Sequence, residues 1–94
     1  EVHDEKEVQS ALSANARIIG VNNRNLKDFT VDINNSLRLR SLVPSDVAFI
    51  SESGIKTAQD IEKLNQNAVD AVLIGEALMR AENKKEMLDN LRGF

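Results

Sequence analysis

Short apolar runs alternate along the chain with longer segments in which apolar residues recur at helical spacing. The apolar runs predict strands over residues 17–21, 46–51 and 70–74. The second is apolar on both faces, as in a parallel sheet lying under helices. The opening residues 1–3 look like the end of a further strand whose beginning is missing, because a strand normally has about five residues. We therefore expect the chain to be a fragment of a longer enzyme.

Capping residues indicate where the helices begin and end. Asp4 can cap the first helix, with Glu7 reaching back in an arrangement like a capping box. Thr57 and Asp60 make a second capping box later in the chain. Pro44 stops the intervening helix, because the residue before a proline is pushed out of the helical region.

Apolar stripes predict which side of each helix is buried. In chain order, the stripes are Val8, Ala11 and Leu12; Ile33, Leu37 and Leu42; Ala58, Ile61, Leu64 and Ala68; and Met87, Leu88 and Leu91. Asn15 suits the left-handed turn that ends the first helix.

Strands that alternate with helices at this spacing predict βαβ units, a parallel sheet and the α/β class. Four strand ends, near His3, Asn22, Ser51 and Gly75, are each followed by a helix. This number fits half of an eight-stranded (β/α)8 barrel, or TIM barrel, which needs about 250 residues in full. An open doubly wound sheet is the alternative architecture, although no strand is followed by the G-x-G-x-x-G of dinucleotide-binding folds.

Composition narrows the classes of function. Apolar residues make up 41% of the 94 residues and aromatic residues only 3%, so a core has to come from Ile, Leu, Val and Ala. The net charge of −3, with scattered basic residues, argues against binding to nucleic acid or to an anionic membrane. The lack of cysteine excludes disulfides, thiolate nucleophiles and thiolate metal ligands. Since no apolar run is long enough to span a membrane, we expect a soluble, cytoplasmic protein.

Polar residues interrupt the apolar pattern at the strand ends, where ligands bind in both architectures. Ser53-Gly54 and Gly75-Glu76 follow the last two strands. Glycine lets the backbone approach a ligand closely, and N–H groups at a helix start point at anions. Arg24 can add a bidentate contact, so these residues together predict a phosphate site. Alternatively, each glycine only permits a tight turn.

Four further polar residues lie at strand ends. Asn22 can orient a hydroxyl or carbonyl group, or can bond the local backbone. Glu1 can transfer protons if it is buried, or can be an exposed carboxylate. His3, the only histidine, is more often a hydrogen-bonded structural residue at such a position than a base. Glu52 points away from the side of Ser51 and can form a salt bridge below the site.

The stretches EVHDEKEV, ARIIGVNNRNLKDFTVD, SLRLRSLVP, SESGIKTAQDI and VDAVLIGEALMR together resemble the C-terminal half of indole-3-glycerol phosphate synthases. The resemblance covers nearly the whole chain, in order. It implies a (β/α)8 barrel, of which residues 1–94 supply strands five to eight. It also implies conversion of 1-(2-carboxyphenylamino)-1-deoxyribulose 5-phosphate to indole-3-glycerol phosphate, a lyase reaction of tryptophan biosynthesis that uses no cofactor or metal.

The resemblance also implies roles for individual residues. Glu1 matches a proton-transfer residue, Asn22 orients the substrate hydroxyls, and Leu73 lines the pocket for the anthranilate ring. Asn23 and Asn25 are interpreted as turn residues that shape the loop. The phosphate cradle matches Arg24, Ser53, Gly54, Gly75 and the backbone of Glu76, with Ser53 also near the reacting sugar.

Two departures from the family pattern affect these expectations. Asn15 and Ala68 stand at helix ends where glycine is expected, and alanine in a left-handed turn would cost about 1 kcal/mol. The family's catalytic lysines lie on the first strands, and neither Lys27 nor Lys56 matches them. We therefore expect the chain to need an absent N-terminal half, to be inactive alone and to self-associate through its open edges.

Two other functions remain open on the sequence alone. The chain could be a non-catalytic half-barrel that binds phosphate or serves as an assembly module. It could also belong to another phosphate-binding barrel enzyme, such as the isomerase that precedes this step, although the general base of that enzyme is not expected on a GVNNRNL strand.

Overall fold

Parallel strands and helices alternate along the part of the chain that the structure describes. A computed structural model describes residues 1–74 and 83–92. The elements in chain order are α1 (Glu5–Ser13), β1 (Ile18–Asn22), α2 (Asn34–Arg40), β2 (Ala48–Glu52), α3 (Ala58–Gln66), β3 (Ala71–Leu73) and α4 (Lys84–Arg92).

The described strands form one parallel sheet in the order β1-β2-β3. The N–H of Val2 donates to the Gly20 carbonyl at 2.8 Å, and the N–H of Asn22 donates to the Val2 carbonyl at 2.9 Å. Residues 1–3 therefore run beside β1 in the position of a further strand. The α/β class and the parallel sheet predicted from the sequence are confirmed. The predicted strand bounds differ from the observed bounds by one or two residues.

The two faces of the sheet have different surroundings. Ile19 and Val21 of β1 and Phe49 and Ser51 of β2 are buried against the helices. The alternate residues point to the other side, where Ile18 is 66% exposed. We call this second side the open face; by strand register it carries Ile18, Gly20 and Asn22, then Ala48, Ile50 and Glu52, then Ala71 and Leu73.

Both predicted helix starts are confirmed. The Asp4 side chain accepts a hydrogen bond from the Glu7 N–H at 2.8 Å, while Glu7 Oε1 accepts from the N–H of His3 at 2.8 Å. The return bond of this box thus comes one residue earlier than in a standard capping box. Thr57 and Asp60 form a complete capping box at the start of α3.

Helices α1 and α3 end in left-handed turns at the two residues where glycine was expected. Asn15 has φ 60° and Ala68 has φ 61°. After α3, the N–H of Ala68 donates to the Asn65 carbonyl and that of Val69 to the Leu64 carbonyl, both at 3.1 Å. These two bonds make a Schellman motif, which requires a left-handed conformation at Ala68. Ala68 is exposed beyond the helix end, so the prediction that it lines α3 is wrong.

The predicted buried side of α2 is also wrong. Ser36 and Leu39 are the fully buried residues of this helix, whereas Ile33 and Leu37 are half-buried and Leu42 is 38% exposed. One reason is that the helix ends at Arg40, before Leu42. The other is that the side facing the sheet includes a serine, which an apolar pattern does not reveal.

Candidate active site

The register of the strands places Asn22, Glu52 and Leu73 side by side in one row on the open face. Asn22 pairs with Glu52 across β1 and β2, and Glu52 pairs with Leu73 across β2 and β3. Residues in register on parallel strands point to the same side. The bridge between Val2 and Val21 places Glu1 on that side as well. The predicted residues Glu1, Asn22 and Leu73 therefore share one face of the sheet.

Glu52 belongs to this row, which the sequence interpretation missed. Its carboxylate lies over Gly20, since a β-carbon at position 20 would be 3.0 Å from Glu52 Oε1. Glu52 points away from Ser51 as expected, but it lies at the candidate site instead of below it. No described residue forms a salt bridge with Glu52, so that part of the prediction is wrong.

Burial raises the pKa of Glu52, and the nearby Glu1 carboxylate raises it further, while the positive amino terminus acts in the opposite direction. A side-chain hydrogen bond with Glu1 raises the pKa of Glu52 as well. All three raising effects favour the protonated form of Glu52, because desolvation and a like charge disfavour the ionised form. Glu1 itself is exposed. The open face thus holds two carboxyl groups in different surroundings, an arrangement suited to proton transfer.

Asn22 is held by its backbone and by one side of its amide. Its Oδ1 accepts from the N–H of Arg24 at 2.9 Å, and its carbonyl accepts from Asn35 Nδ2 at 3.1 Å and from His3 Nδ1 at 2.8 Å. Asn22 Nδ2 donates to none of the described residues. The oxygen of the Asn22 amide thus bonds the local backbone, which is one of the two roles expected from the sequence. The two N–H groups of the amide remain for a ligand.

The hydrogen bond to Asn22 determines the tautomer of His3. A carbonyl oxygen can only accept, so His3 donates through Nδ1, and Nε2 carries the lone pair when the ring is neutral. Asn35 Nδ2 also donates to the His3 carbonyl at 3.0 Å. These contacts agree with the structural role expected for His3.

The turn that follows β2 has two consecutive residues in the left-handed region. Ser53 has φ 71° and Gly54 has φ 77°. A β-carbon on Gly54 would lie 2.3 Å from Val31 Cγ1, so only glycine fits there. The Gly54 N–H donates to no described residue and is available to an oxygen ligand.

Side chains at the start of α3 accept from three of the nearby backbone N–H groups. Asp60 Oδ2 accepts from the N–H groups of Lys56 and Thr57 at 3.0 and 3.2 Å, and Thr57 Oγ1 accepts from the Asp60 N–H at 3.1 Å. The helix therefore uses its own side chains to satisfy these three donors. The N–H groups of Ala58 and Gln59 donate to no described residue, so a contribution of this helix start to an anion site stays a prediction.

Arg24 lies on the loop beside that turn. Its backbone bridges Val31, the residue whose side chain packs over Gly54, and its Nη1 donates to the Phe29 carbonyl at 3.4 Å. The loops that carry Arg24 and Gly54 are therefore neighbours. The other two predicted phosphate residues, Gly75 and Glu76, lie outside the described residues.

Asn23 was interpreted as a turn residue, but it is a buried residue that joins three segments. It is 2% exposed, and its side chain hydrogen-bonds Ser36, Ser51 and Ser53. A signal for this cluster exists in the sequence. Ser51 follows Phe49 by two residues and thus occupies a position that faces the helices, where an apolar residue is expected.

A cleft of about 350 Å³ lies between the first residues and the loop after β1, and Glu1, Asn22 and Arg24 are among its lining residues. Three larger clefts, of about 380, 440 and 540 Å³, lie beside α2, α3 and α1 respectively. His3 and Asn23 line the first of these, but of the predicted site residues only Glu1 lines any of the three. The chemistry therefore favours the cleft of about 350 Å³.

Neither a metal site nor a membrane span is found in the described ranges. Residues 1–74 and 83–92 include no group of three or more His, Asp or Glu side chains that could hold a metal ion. In the same ranges, no helix has the length and apolar character needed to cross a bilayer.

The family model of indole-3-glycerol phosphate synthase matches residues 1–91. The chain belongs to this family. The indole-3-glycerol phosphate synthase of Ruminiclostridium cellulolyticum is 62% identical over 93 residues, which are 99% of this chain and 36% of the relative. Those of Leuconostoc mesenteroides and Desulfotalea psychrophila are 57% and 47% identical, over 99% and 97% of this chain and 36% and 35% of the relatives.

The family explains the open face. The chain spans about a third of the length of the curated indole-3-glycerol phosphate synthases that it matches. In a (β/α)8 barrel the helices cover the outer side of the strands and the inner side is packed by side chains from all the strands. The open face is the side that would line the barrel interior, and the candidate residues lie at its C-terminal end.

Proposed function

We propose that the chain is the C-terminal part of a cytoplasmic indole-3-glycerol phosphate synthase. It supplies strands five to eight of the barrel, with residues 1–94 forming four βα units. The reaction closes the indole ring of 1-(2-carboxyphenylamino)-1-deoxyribulose 5-phosphate and releases CO₂ and water. The single observation that carries the proposal is the row Asn22, Glu52 and Leu73 on the open face, with Glu1 beside it.

The two carboxyl groups are proposed to move the protons. The aromatic carbon that is joined to the sugar loses CO₂ and not a proton. Ring closure and dehydration need a proton donor to the carbonyl oxygen that later leaves as water, and dehydration needs an acceptor for the proton lost from the sugar carbon bonded to nitrogen. The raised pKa of Glu52 favours its protonated form, which suits the donor. Glu1 matches the proton-transfer residue of the family, and it lies close enough to couple to the ionisation of Glu52.

The other candidates are proposed to bind and orient the substrate. The amide N–H groups of Asn22 are directed to the substrate hydroxyls, and the exposed side chain of Leu73 contacts the anthranilate ring. Ser53, the Gly54 N–H and Arg24 hold the phosphate, because a guanidinium and unpaired N–H groups are preferred partners of phosphate oxygens. Gly75 and the backbone of Glu76 complete this cradle by family position. Every step is a proton transfer or bond rearrangement, so the proposal needs no cofactor.

The isolated chain is proposed to be inactive and to self-associate. The catalytic lysines of the family have no counterpart at Lys27 or Lys56. The open face exposes Ile18 and Leu73, and parallel sheets are normally covered on both faces. Sedimentation of the isolated chain should show dimers or larger species, and a monodisperse monomer would contradict self-association.

A chimera tests the proposed activity. In the Ruminiclostridium cellulolyticum enzyme, the 93 matching residues are replaced by this chain, and we call this protein the chimera. We expect the chimera to form indole-3-glycerol phosphate, with the unmodified relative as the reference and the isolated chain giving no product. A folded chimera that binds inorganic phosphate but gives no product would contradict the enzymatic proposal and favour the non-catalytic half-barrel.

A further inference from the structure

The buried side chain of Asn23 uses all of its hydrogen-bonding capacity. Nδ2 donates to Ser51 Oγ and to the Ser53 carbonyl, both at 2.9 Å. Oδ1 accepts from the N–H and from Oγ of Ser36, at 3.1 and 2.7 Å. A backbone donor on one side and a carbonyl acceptor on the other determine which way the amide is turned. Asn23 therefore links α2, β2 and the turn after β2.

The two serines close a hydrogen-bonded ring with Asn23, and counting protons fixes its direction. Ser36 Oγ has one proton, which it must give to Asn23 Oδ1, since that atom carries none. The 2.7 Å contact between the two hydroxyls is then donated by Ser51. Ser51 Oγ in turn accepts from Asn23 Nδ2. Every donor of the ring has an acceptor, and no buried polar side-chain atom among the described residues lacks a partner.

One bond of Asn23 leaves the ring and holds the strained residue of the turn. Ser53 has φ 71°, a conformation in which its β-carbon crowds its own carbonyl oxygen. The Asn23 Nδ2 bond to that carbonyl is formed only when the peptide plane after Ser53 has the orientation seen here. The same plane carries the N–H of Gly54, the donor that is open to a ligand.

We propose that Asn23 is a positioning residue, which aims the Ser53 side chain and the Gly54 N–H at the phosphate-bearing substrate by holding the peptide between them. The identity of the ligand at this turn rests on the proposed function. The control of the turn conformation by Asn23 does not. The competing view is that Asn23 only stabilises the core. The two views predict different results for a variant that breaks the ring of Asn23, Ser36 and Ser51 but keeps the Asn23 bond to the Ser53 carbonyl.

Ser51 provides the matched control, because it is buried in the same ring but its side chain does not hydrogen-bond Ser53. In the chimera, Ser51→Ala removes one acceptor of Nδ2 and leaves the bond to the Ser53 carbonyl. We expect Asn23→Ala to raise KM for the phosphorylated substrate by at least about tenfold and Ser51→Ala by less than about threefold, measured where both variants are folded. A purely structural Asn23 would lower the stability of both variants and leave both KM values near that of the parent.

A second measurement does not depend on activity. With selectively ¹³C-labelled serine, the Cα and Cβ chemical shifts of Ser53 report its backbone conformation. We expect Asn23→Ala to move them away from the left-handed values and Ser51→Ala to keep them, even in an inactive chimera. Unchanged Ser53 shifts in Asn23→Ala would overturn the inference, whereas loss of activity in the unsubstituted chimera would count only against the proposed function.

A second variant covers the case in which Asn23→Ala does not fold. Asn23→Asp is nearly isosteric and leaves no cavity; it keeps the acceptor for both donors of Ser36 and puts a carboxyl oxygen, which repels the Ser53 carbonyl, where Nδ2 donated to Ser51 and Ser53. We expect the Ser53 shifts and KM to change as in Asn23→Ala. Parent-like values of both quantities in Asn23→Asp would overturn the inference.

Discussion

The carboxylate of Glu52 occupies the space that a side chain at position 20 would fill. A β-carbon on Gly20 would lie 3.0 Å from Glu52 Oε1 and 3.2 Å from its Cδ. The glycine in the middle of β1 therefore allows a carboxyl group of β2 to lie against the sheet and to be partly desolvated. The position of Glu52 therefore depends on the absence of a side chain at Gly20.

Substituting Gly20 should change activity more than stability. In Gly20→Ala the far end of a flexible side chain has to move by only a few tenths of an ångström, so we expect the free energy of unfolding of the chimera to change by less than about 1 kcal/mol. We expect kcat/KM to fall by about tenfold, because the proposed proton donor Glu52 is displaced. Steady-state kinetics and urea unfolding measure the two effects.

The control for Gly20→Ala is the same change in a Glu52→Gln background. If the alanine acts by moving Glu52, it should have almost no further effect on kcat/KM there, since neighbouring residues that act together are not additive. An undiminished tenfold loss in the double variant would contradict this explanation.

The stability of the protein should depend on pH through Glu52. Burial and the Glu1 carboxylate raise the pKa of Glu52 above its ordinary value of 4.5. Protonated Glu52 therefore favours the folded state, and its contribution is complete below the unfolded-state pKa and is lost as the pH rises through the folded-state pKa. Relative to the Glu52→Gln chimera, the parent chimera should lose unfolding free energy as the pH rises above about 4.5 and through the raised pKa of Glu52. A difference that does not change as the pH rises would show that Glu52 is not perturbed.

Alanine at position 54 should lower the stability of the protein for two reasons that can be tested separately. Gly54 has φ 77°, where a β-carbon costs about 1–2 kcal/mol, and the added carbon would overlap Val31 Cγ1. We expect Gly54→Ala to lower the unfolding free energy of the chimera by more than about 2 kcal/mol, as an overpacked site with a strained backbone does. In Gly54→Ala with Val31→Ala, the overlap is removed and only the backbone strain remains. The double variant should therefore be more stable than the sum of the two single effects predicts.

Glycine at position 68 should stabilise the protein. The Schellman motif after α3 holds Ala68 at φ 61°, and relief of this strain outweighs the extra freedom of glycine in the unfolded chain. We expect Ala68→Gly to raise the unfolding free energy by about 0.5–1 kcal/mol in urea titrations with an unchanged m value. Asn15→Gly at the equivalent turn after α1 is the control. It should gain less, because asparagine already tolerates this conformation, and equal gains would argue against backbone strain as the cause.

The alternation of strands and helices could be predicted from the sequence because it depends on local patterns. The apolar runs located β1 and β2 to within two residues, and the capping residues located the starts of α1 and α3. The left-handed turn at Asn15 was also predictable, since it depends on the conformational preference of one residue. The buried side of α2 was not predictable, because it includes Ser36, a polar residue whose partners come from other segments.

The grouping of the candidate site depends on register, which local patterns do not contain. Asn22 and Leu73 could be selected from the sequence, but the pairing that places Glu52 between them is a property of the assembled sheet. The role of Asn23 was hidden for a similar reason. An asparagine after a strand is common in turns, and only the approach of Ser36 and Ser51 shows that this one is enclosed.

The ring formed by Asn23, Ser36 and Ser51 has a consequence for how the protein opens. Its dipoles follow one another head to tail, so each bond polarises the next and the loss of one weakens the other two. Unwinding of α2 would take away both Ser36 donors of Asn23 Oδ1 and leave only the Nδ2 bonds to hold the amide. Fraying of α2 would therefore loosen the Ser53-Gly54 turn without releasing it.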